Sequence, residues 1–170
     1  MRHGRSAMVR VLQVTAIISD DDLLDRWPRV RIDSDNIEYY RGLASQRLLI
    51  NRCQQCRTWH NPPRAVCPRC WSKEISAEAV TGRGVIELLT FLHQGAPRPG
   101  VDYAAGHPVA GIGLLEQPGL RVTATILGSP REQVRLGAAV EVDWANYDGG
   151  QTLVFRLAPV SPGAVLKVQS

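Results

Sequence analysis

The chain has 170 residues, 44% of them hydrophobic and 21% charged, an ordinary globular mixture. That length suits one domain, or two small units sharing a core, and lets roughly 70% of the unfolded surface be buried without a staple. The net charge of +4 is spread along the chain; it admits an anionic ligand and does not by itself indicate nucleic acid. No run approaches the ~18 apolar residues of a membrane span.

The start, MRHGRSAMVRVLQVTAIISDDD, has a faint likeness to a signal peptide, but Arg10 and Gln13 interrupt its apolar part and no A-x-A site follows. Residues 1–32 read as a tail, with Met8 as a second candidate start and a short helix around DDLLDRW. Residues 33–46 read as a helix. Ser34 or Asp35 is placed to cap it, because a short side-chain oxygen accepts from the free amides of a first turn. Ile37, Tyr40 and Leu43-Ala44 recur at helical spacing. Tyr40 is therefore assigned to the core, leaving Tyr39 to reach outward. RLLINR, residues 47–52, reads as a short strand.

That strand feeds a region, residues 47–80, which holds every cysteine of the chain. Cys53 and Cys56 form one C-x-x-C pair, Cys67 and Cys70 a second, with a ten-residue spacer between them. Each pair offers two thiolates from one tight turn, and two turns supply the closed tetrahedral shell of a structural zinc ion. Pro68 stiffens the second turn, and the spacer has room for two short strands with Pro62-Pro63 in the turn. A redox C-x-x-C normally stands alone. Iron is the closer rival, since tetrahedral sulfur also holds it; Arg57 and Trp71 follow the pairs where rubredoxins carry glycine. His60 reads as a neighbour of a filled shell. Four clustered thiols with no secretion signal fit a reducing cytoplasm.

Residues 81–162 change texture. TGRGVIELLTFLHQ, HPVAGIGLLEQ and LRVTATILG read as three strands, SPREQVRLG as a helical turn, and AAVEVDWANY and TLVFRLAPV as two more strands around a DGG hairpin turn. Five short strands with a helical turn between the third and fourth match a small Greek-key barrel of the OB type. The fold class is mainly β: an N-terminal helix, a zinc ribbon, then the barrel, with residues 163–170 as a tail.

Familiar catalytic constellations are missing: no G-x-S-x-G elbow, no H-E-x-x-H helix, no P-loop. If all four cysteines hold metal, no thiol nucleophile remains. His93 is an acid/base only if it faces a partner's pocket; otherwise it is a strand-end histidine. Gly82 and Gly84 mark either a phosphate loop or a bend and close approach of the first barrel strand.

YYRGLASQRLLINRCQQC, PPRAVCPRC, TGRGVIELLTF, HPVAGIGLLE, LGAAVEVDW and LVFRLAP follow one another in order. Together they resemble a prokaryotic family, long labelled as of unknown function, that joins a rubredoxin-like zinc ribbon to a C-terminal OB-fold. The resemblance covers about residues 34–160. It implies a small non-catalytic partner subunit of thiolase-like acyl-CoA enzymes: acyltransferases, ketothiolases or retro-aldol lyases of steroid side-chain breakdown. Some relatives are fused to a hot-dog-type hydratase. The implied role is to assist assembly, or to hold or pass an acyl-CoA. Arg83 is then a contact for a coenzyme A phosphate or a solvated arginine, with Tyr39 and His93 as further coenzyme or partner contacts. The chain departs from the family in its first thirty or so residues and in having Tyr39-Tyr40 where relatives tend to have Phe-Trp.

Single-strand nucleic-acid binding is the rival, since ribbons and OB-folds both do that work. It needs aromatic platforms in a basic groove, and of the first three barrel strands only the first offers one, Phe91. An iron electron carrier and a stand-alone acyl-CoA enzyme are weaker alternatives.

Overall fold

The computed structural model describes residues 18–97, 101–147 and 150–159. Helix α1, Asp20–Arg26, begins at Ser19, whose hydroxyl oxygen accepts from the amide of Asp22 at 3.1 Å. Three aspartates in its first turn and Arg26 in its last complement the helix dipole. Leu23 is fully buried. Helix α2, Ile37–Ala44, is shorter than expected. Neither Ser34 nor Asp35 caps it. The cap position is Asn36, which makes no side-chain cap bond to the helix. The segment before α2 instead folds into a self-satisfied turn. Asp33 O accepts from the amides of Asn36 and Ile37, while Asn36 Oδ1 accepts from Asp33 N at 3.0 Å. Arg41 of α2 pairs with Asp20 of α1 and with Glu38.

Strand β1, Leu49–Cys53, is the centre of a three-stranded antiparallel sheet between β2, Trp59–His60, and β3, Ile75–Ala79. The spacer thus supplies one very short strand where two were expected. The prolines that follow His60 explain this, because proline has no amide to donate to a ladder. Strand β3 lies in a stretch given no element from sequence. Helix α2 crosses β1 closely: a side chain at Gly42 would meet Arg47 O at 2.6 Å and Leu49 Cγ at 2.7 Å.

The remaining strands are β4, Arg83–Leu92; β5, His107–Leu114; β6, Arg121–Ile126; β7, Ala139–Tyr147; and β8, Gly150–Leu157. They close a barrel in the order β4-β5-β6-β8-β7, and β7 returns to β4. All pairs are antiparallel except β6 with β8, where Thr125 and Ile126 oppose Val154 and Phe155. This is a five-stranded Greek-key barrel of the OB type, as expected. A one-turn 3-10 helix at Arg131–Gln133 sits between β6 and β7. The centre of the DGG turn, like the proposed start at Met8 and the tail at 163–170, falls outside the described residues. A bulge in β4 between Ile86 and Leu88 puts an extra residue, Glu87, against β5 and bends the strand as barrels require.

Phe155, Ile86, Ile112 and Val140 fill the barrel with at most 1% of their surface exposed. The same apolar cluster continues through Leu43, Leu48, Ile50 and Trp59, so helix, ribbon and barrel share one core. Gly82 and Gly84 serve close approach. A side chain at Gly82, whose φ is 71°, would meet Val142 Cγ1 at 2.3 Å. One at Gly84 would meet Gly113 O at 2.6 Å.

Candidate metal centre

Each cysteine pair sits in a turn built the same way. Cys53 N donates to Thr58 O and Arg57 N to Cys53 O, at 2.9 and 3.0 Å. In the second turn Cys67 N donates to Ser72 O and Trp71 N to Cys67 O, at the same distances. The residue closing each turn is left-handed: Arg57 at φ 59° and Trp71 at φ 62°. The chain therefore adopts at these two sites the conformation glycine favours, with bulky residues in place.

The turns bring Sγ of Cys53, Cys56, Cys67 and Cys70 within 4.8 Å of one another. Cys53 lies 3.5 Å from Cys70, and Cys56 lies 3.5 Å from Cys67. A tetrahedral shell with metal–sulfur bonds of about 2.3 Å requires sulfur separations of about 3.8 Å, so the donor set fits such an ion. Among the described residues it is the single group of metal-ligating side chains that meets this test, and His60 does not join it.

The thiols are not equivalent. Cys56 is held down at about 6, chiefly by its hydrogen bonds with the side chain and backbone of Thr58, whose Oγ1 lies 3.3 Å from its sulfur. Amides of Cys56 and Gln55 also hold Cys53 below its ordinary value. At Cys70 the Ser72 amide pulls down, but burial and the three neighbouring sulfurs outweigh it, pushing the thiol up to about 12. Four adjacent thiolates repel one another, and a bound dication removes that conflict.

A polar frame surrounds the knuckles. Glu78 of β3 accepts from Gln54 Nε2 and Arg52 Nη1, both at 3.0 Å, and pairs with Arg57 at 3.1 Å; these partners hold its carboxyl below its ordinary value. Arg52 also stacks over Trp59, 4.6 Å from its ring centre. His60 is buried, and neither ring nitrogen has a hydrogen-bond partner.

The other candidate residues lie apart. Arg83 opens β4 and His93 follows its end. They stand at opposite ends of that ten-residue strand, whose fully extended length is about 33 Å before the bend at its bulge. Both are exposed. His93 lies over Gly106, where a side chain would meet its Cε1 at 3.0 Å. Tyr39 and Tyr40 both pack partly buried against the core. They meet edge to face at 5.4 Å, and Tyr40 also contacts Trp27 at 5.2 Å. Tyr39 is the more strongly desolvated: burial, then the neighbouring Tyr40, pushes its phenol up to about 12. Phe91 is taken up by Arg131, which lies over its ring at 4.2 Å. His107, given no role from sequence, is buried at the start of β5 with Nε2 2.8 Å from Thr125 Oγ1. No helix among the described residues is long and apolar enough to cross a membrane.

Comparison with known proteins follows the same lines. Residues 41–76 match the ChsH2 rubredoxin-like zinc ribbon domain. The chain is 31% identical over 132 residues to a probable enoyl-CoA hydratase alpha subunit of Thermomonospora curvata. That alignment takes in 77% of this chain but spans only 40% of the relative's length. It is 28% identical over 132 residues to a DUF35 domain-containing scaffold protein of Methanocaldococcus jannaschii, covering 73% of this chain and 90% of that one. Among solved structures, a chain of the Ltp2-ChsH2(DUF35) aldolase superposes with a TM-score of 0.66 at 28% identity, covering 76% of this chain and 98% of that chain. A DUF35 protein of unknown function from Sulfolobus solfataricus gives 0.54 at 15% identity, covering 81% and 96%, a likeness of fold alone. The chain thus carries a ChsH2-type zinc ribbon joined to a five-stranded barrel, the architecture of the DUF35 family that its motifs resemble.

Proposed function

We propose that this chain is a non-catalytic accessory subunit of a thiolase-family acyl-CoA enzyme: a thiolase, acyltransferase or retro-aldol lyase. The observation that carries this reading is the convergence of all four cysteines on one point, which leaves the chain no thiol nucleophile. The likeness to a protein named as a scaffold and to a chain of an aldolase complex supports it. The metal is zinc, held by Cys53, Cys56, Cys67 and Cys70, and its role is structural. It pins two turns of a ribbon whose sheet is too small to hold itself. Free thiols packed this closely suit a reducing cytoplasm.

The chain then braces the enzyme subunit, or shapes and shares its acyl-CoA channel. Arg83 and His93 stand too far apart to form one pocket, so each is proposed as a separate contact, Arg83 to a coenzyme phosphate and His93 to the partner. Tyr39 acts from within the packing of α2. A relative named as a hydratase alpha subunit supports a hot-dog-type hydratase as an alternative partner.

The test is thioester turnover by the zinc-loaded chain alone and with its partner. Activity confined to the complex supports the reading. Hydrolysis or carbon–carbon cleavage by the chain alone overturns it.

A further inference from the structure

Trp71 is 79% exposed, more than any other large hydrophobic side chain among the described residues. The other three tryptophans are held: Trp59 is buried in the core, and Trp27 and Trp144 pack against it. Trp71 closes the second cysteine turn with its amide on Cys67 O and its backbone left-handed, a conformation large side chains seldom adopt. The turn that aims two sulfurs at a metal therefore also aims an indole at solvent. A large aromatic fixed on a metal-pinned turn loses little freedom on binding. Tryptophan and arginine are also the residues that dominate interface hot spots.

The charge around it is mainly positive, with exposed Glu74, three residues on, as the exception. Residues 54–73 carry Arg57, Arg64, Arg69 and Lys73 and no Asp or Glu. Glu78 is shared between Arg52 and Arg57, while Arg64, Arg69 and Lys73 remain exposed. The chain's own outlying segments do not complement this surface. Residues 1–17 contain Arg2, Arg5 and Arg10 without an acid, and residues 160–170 contain Lys167 without an acid.

We infer that the ribbon tip is the docking surface for the enzyme subunit, with Trp71 entering an apolar pocket whose rim is acidic and faces Arg64, Arg69 and Lys73. This rests on the accessory-subunit reading above and names the face through which it works.

The experiment measures the affinity of the full, zinc-loaded chain for the enzyme subunit that co-purifies with it in stoichiometric amount. Trp71→Gly suits the left-handed backbone and keeps the turn folded, which zinc content and thermal midpoint verify. It is expected to raise Kd by about 30-fold or more. The double variant R69Q/K73Q is expected to weaken binding and to reduce its salt dependence. Unchanged affinity in Trp71→Gly overturns this inference alone. Absence of any stoichiometric enzyme subunit overturns it together with the accessory reading. A labelled single-stranded oligonucleotide bound tightly by the wild type and not by Trp71→Gly overturns it in favour of nucleic acid.

Discussion

Gln117 binds both backbone polar groups of Trp59 with its one side-chain amide. Its Oε1 accepts from Trp59 N at 2.9 Å, and its Nε2 donates to Trp59 O at 3.0 Å. Gln117 lies in the turn between β5 and β6, and Trp59 begins β2 of the ribbon, so one side chain completes the free edge of the ribbon sheet from the barrel. Asn61 Nδ2, bonded to Arg121 O at 2.7 Å, and Glu116, whose Oε1 accepts from Thr81 N and Oγ1, fasten the same junction.

Gln117→Ala is expected to destabilise the chain by about 1–3 kcal/mol, since two part-buried backbone groups lose their partner. Urea unfolding gives the magnitude. Hydrogen exchange gives the location: the Trp59 amide is expected to lose protection before the core of the barrel does.

The metal prediction is one zinc ion per chain, read by elemental analysis, with a colourless protein; visible absorption at the purified site means iron instead. Cys67→Ala is expected to abolish binding and to unfold the ribbon. Binding requires thiolates, so protons compete and affinity falls as pH falls. Cys56, at about 6, ionises most readily, while Cys70, at about 12 without metal, must release a proton to bind. Proton release on zinc addition at neutral pH, followed by calorimetry in buffers of different ionisation enthalpy, checks this.

His60 gives a second pH dependence. Burial, then the charge of Arg64, holds its imidazole below the ordinary value of 6.5. Just below that pH the unfolded chain takes up a proton that the folded chain does not. Stability therefore falls as pH drops from about 6.5, until folded His60 also protonates. His60→Leu is expected to flatten this part of the profile and to cost little at higher pH, because the orphaned ring nitrogens go with it. Denaturant unfolding from pH 7.5 to about 5, with zinc content verified at each point, measures it; an unchanged slope contradicts it.

Gly82 and Gly119 separate two costs. Both have positive φ, 71° and 78°, but a side chain at Gly82 strikes Val142 while one at Gly119 meets nothing within 4 Å. Gly119→Ala is expected to cost about 1 kcal/mol of backbone strain. Gly82→Ala adds the overlap, for about 2–4 kcal/mol in all. Equal thermal shifts for the two variants contradict the role given to Val142.

The metal centre was legible because two C-x-x-C pairs fix geometry through local turns, and a local turn is written in adjacent residues. The barrel strands were legible because hydrophobic runs broken by Gly, Pro and Asp mark their ends. Strand β3 was not: ISAEA has one large apolar residue and alternates among small and charged ones, so its pairing with β1 decides its structure. Arg57 and Trp71 look wrong for a glycine-type position, yet the amide bonds of the cysteine turns hold both left-handed. The depths of Tyr39 and Tyr40 are set by where α2 lies against β1 and β8, which helical spacing does not reveal. The exposure of Trp71 is likewise invisible in sequence, where tryptophan reads as core.

The most direct measurement is purification of the tagged chain from its native host, with stoichiometry and identity of companions read by mass spectrometry. The account predicts a thiolase-fold or hydratase-type acyl-CoA enzyme in fixed ratio with this chain. Recovery of the chain alone, or with nucleic acid and no such enzyme, contradicts it.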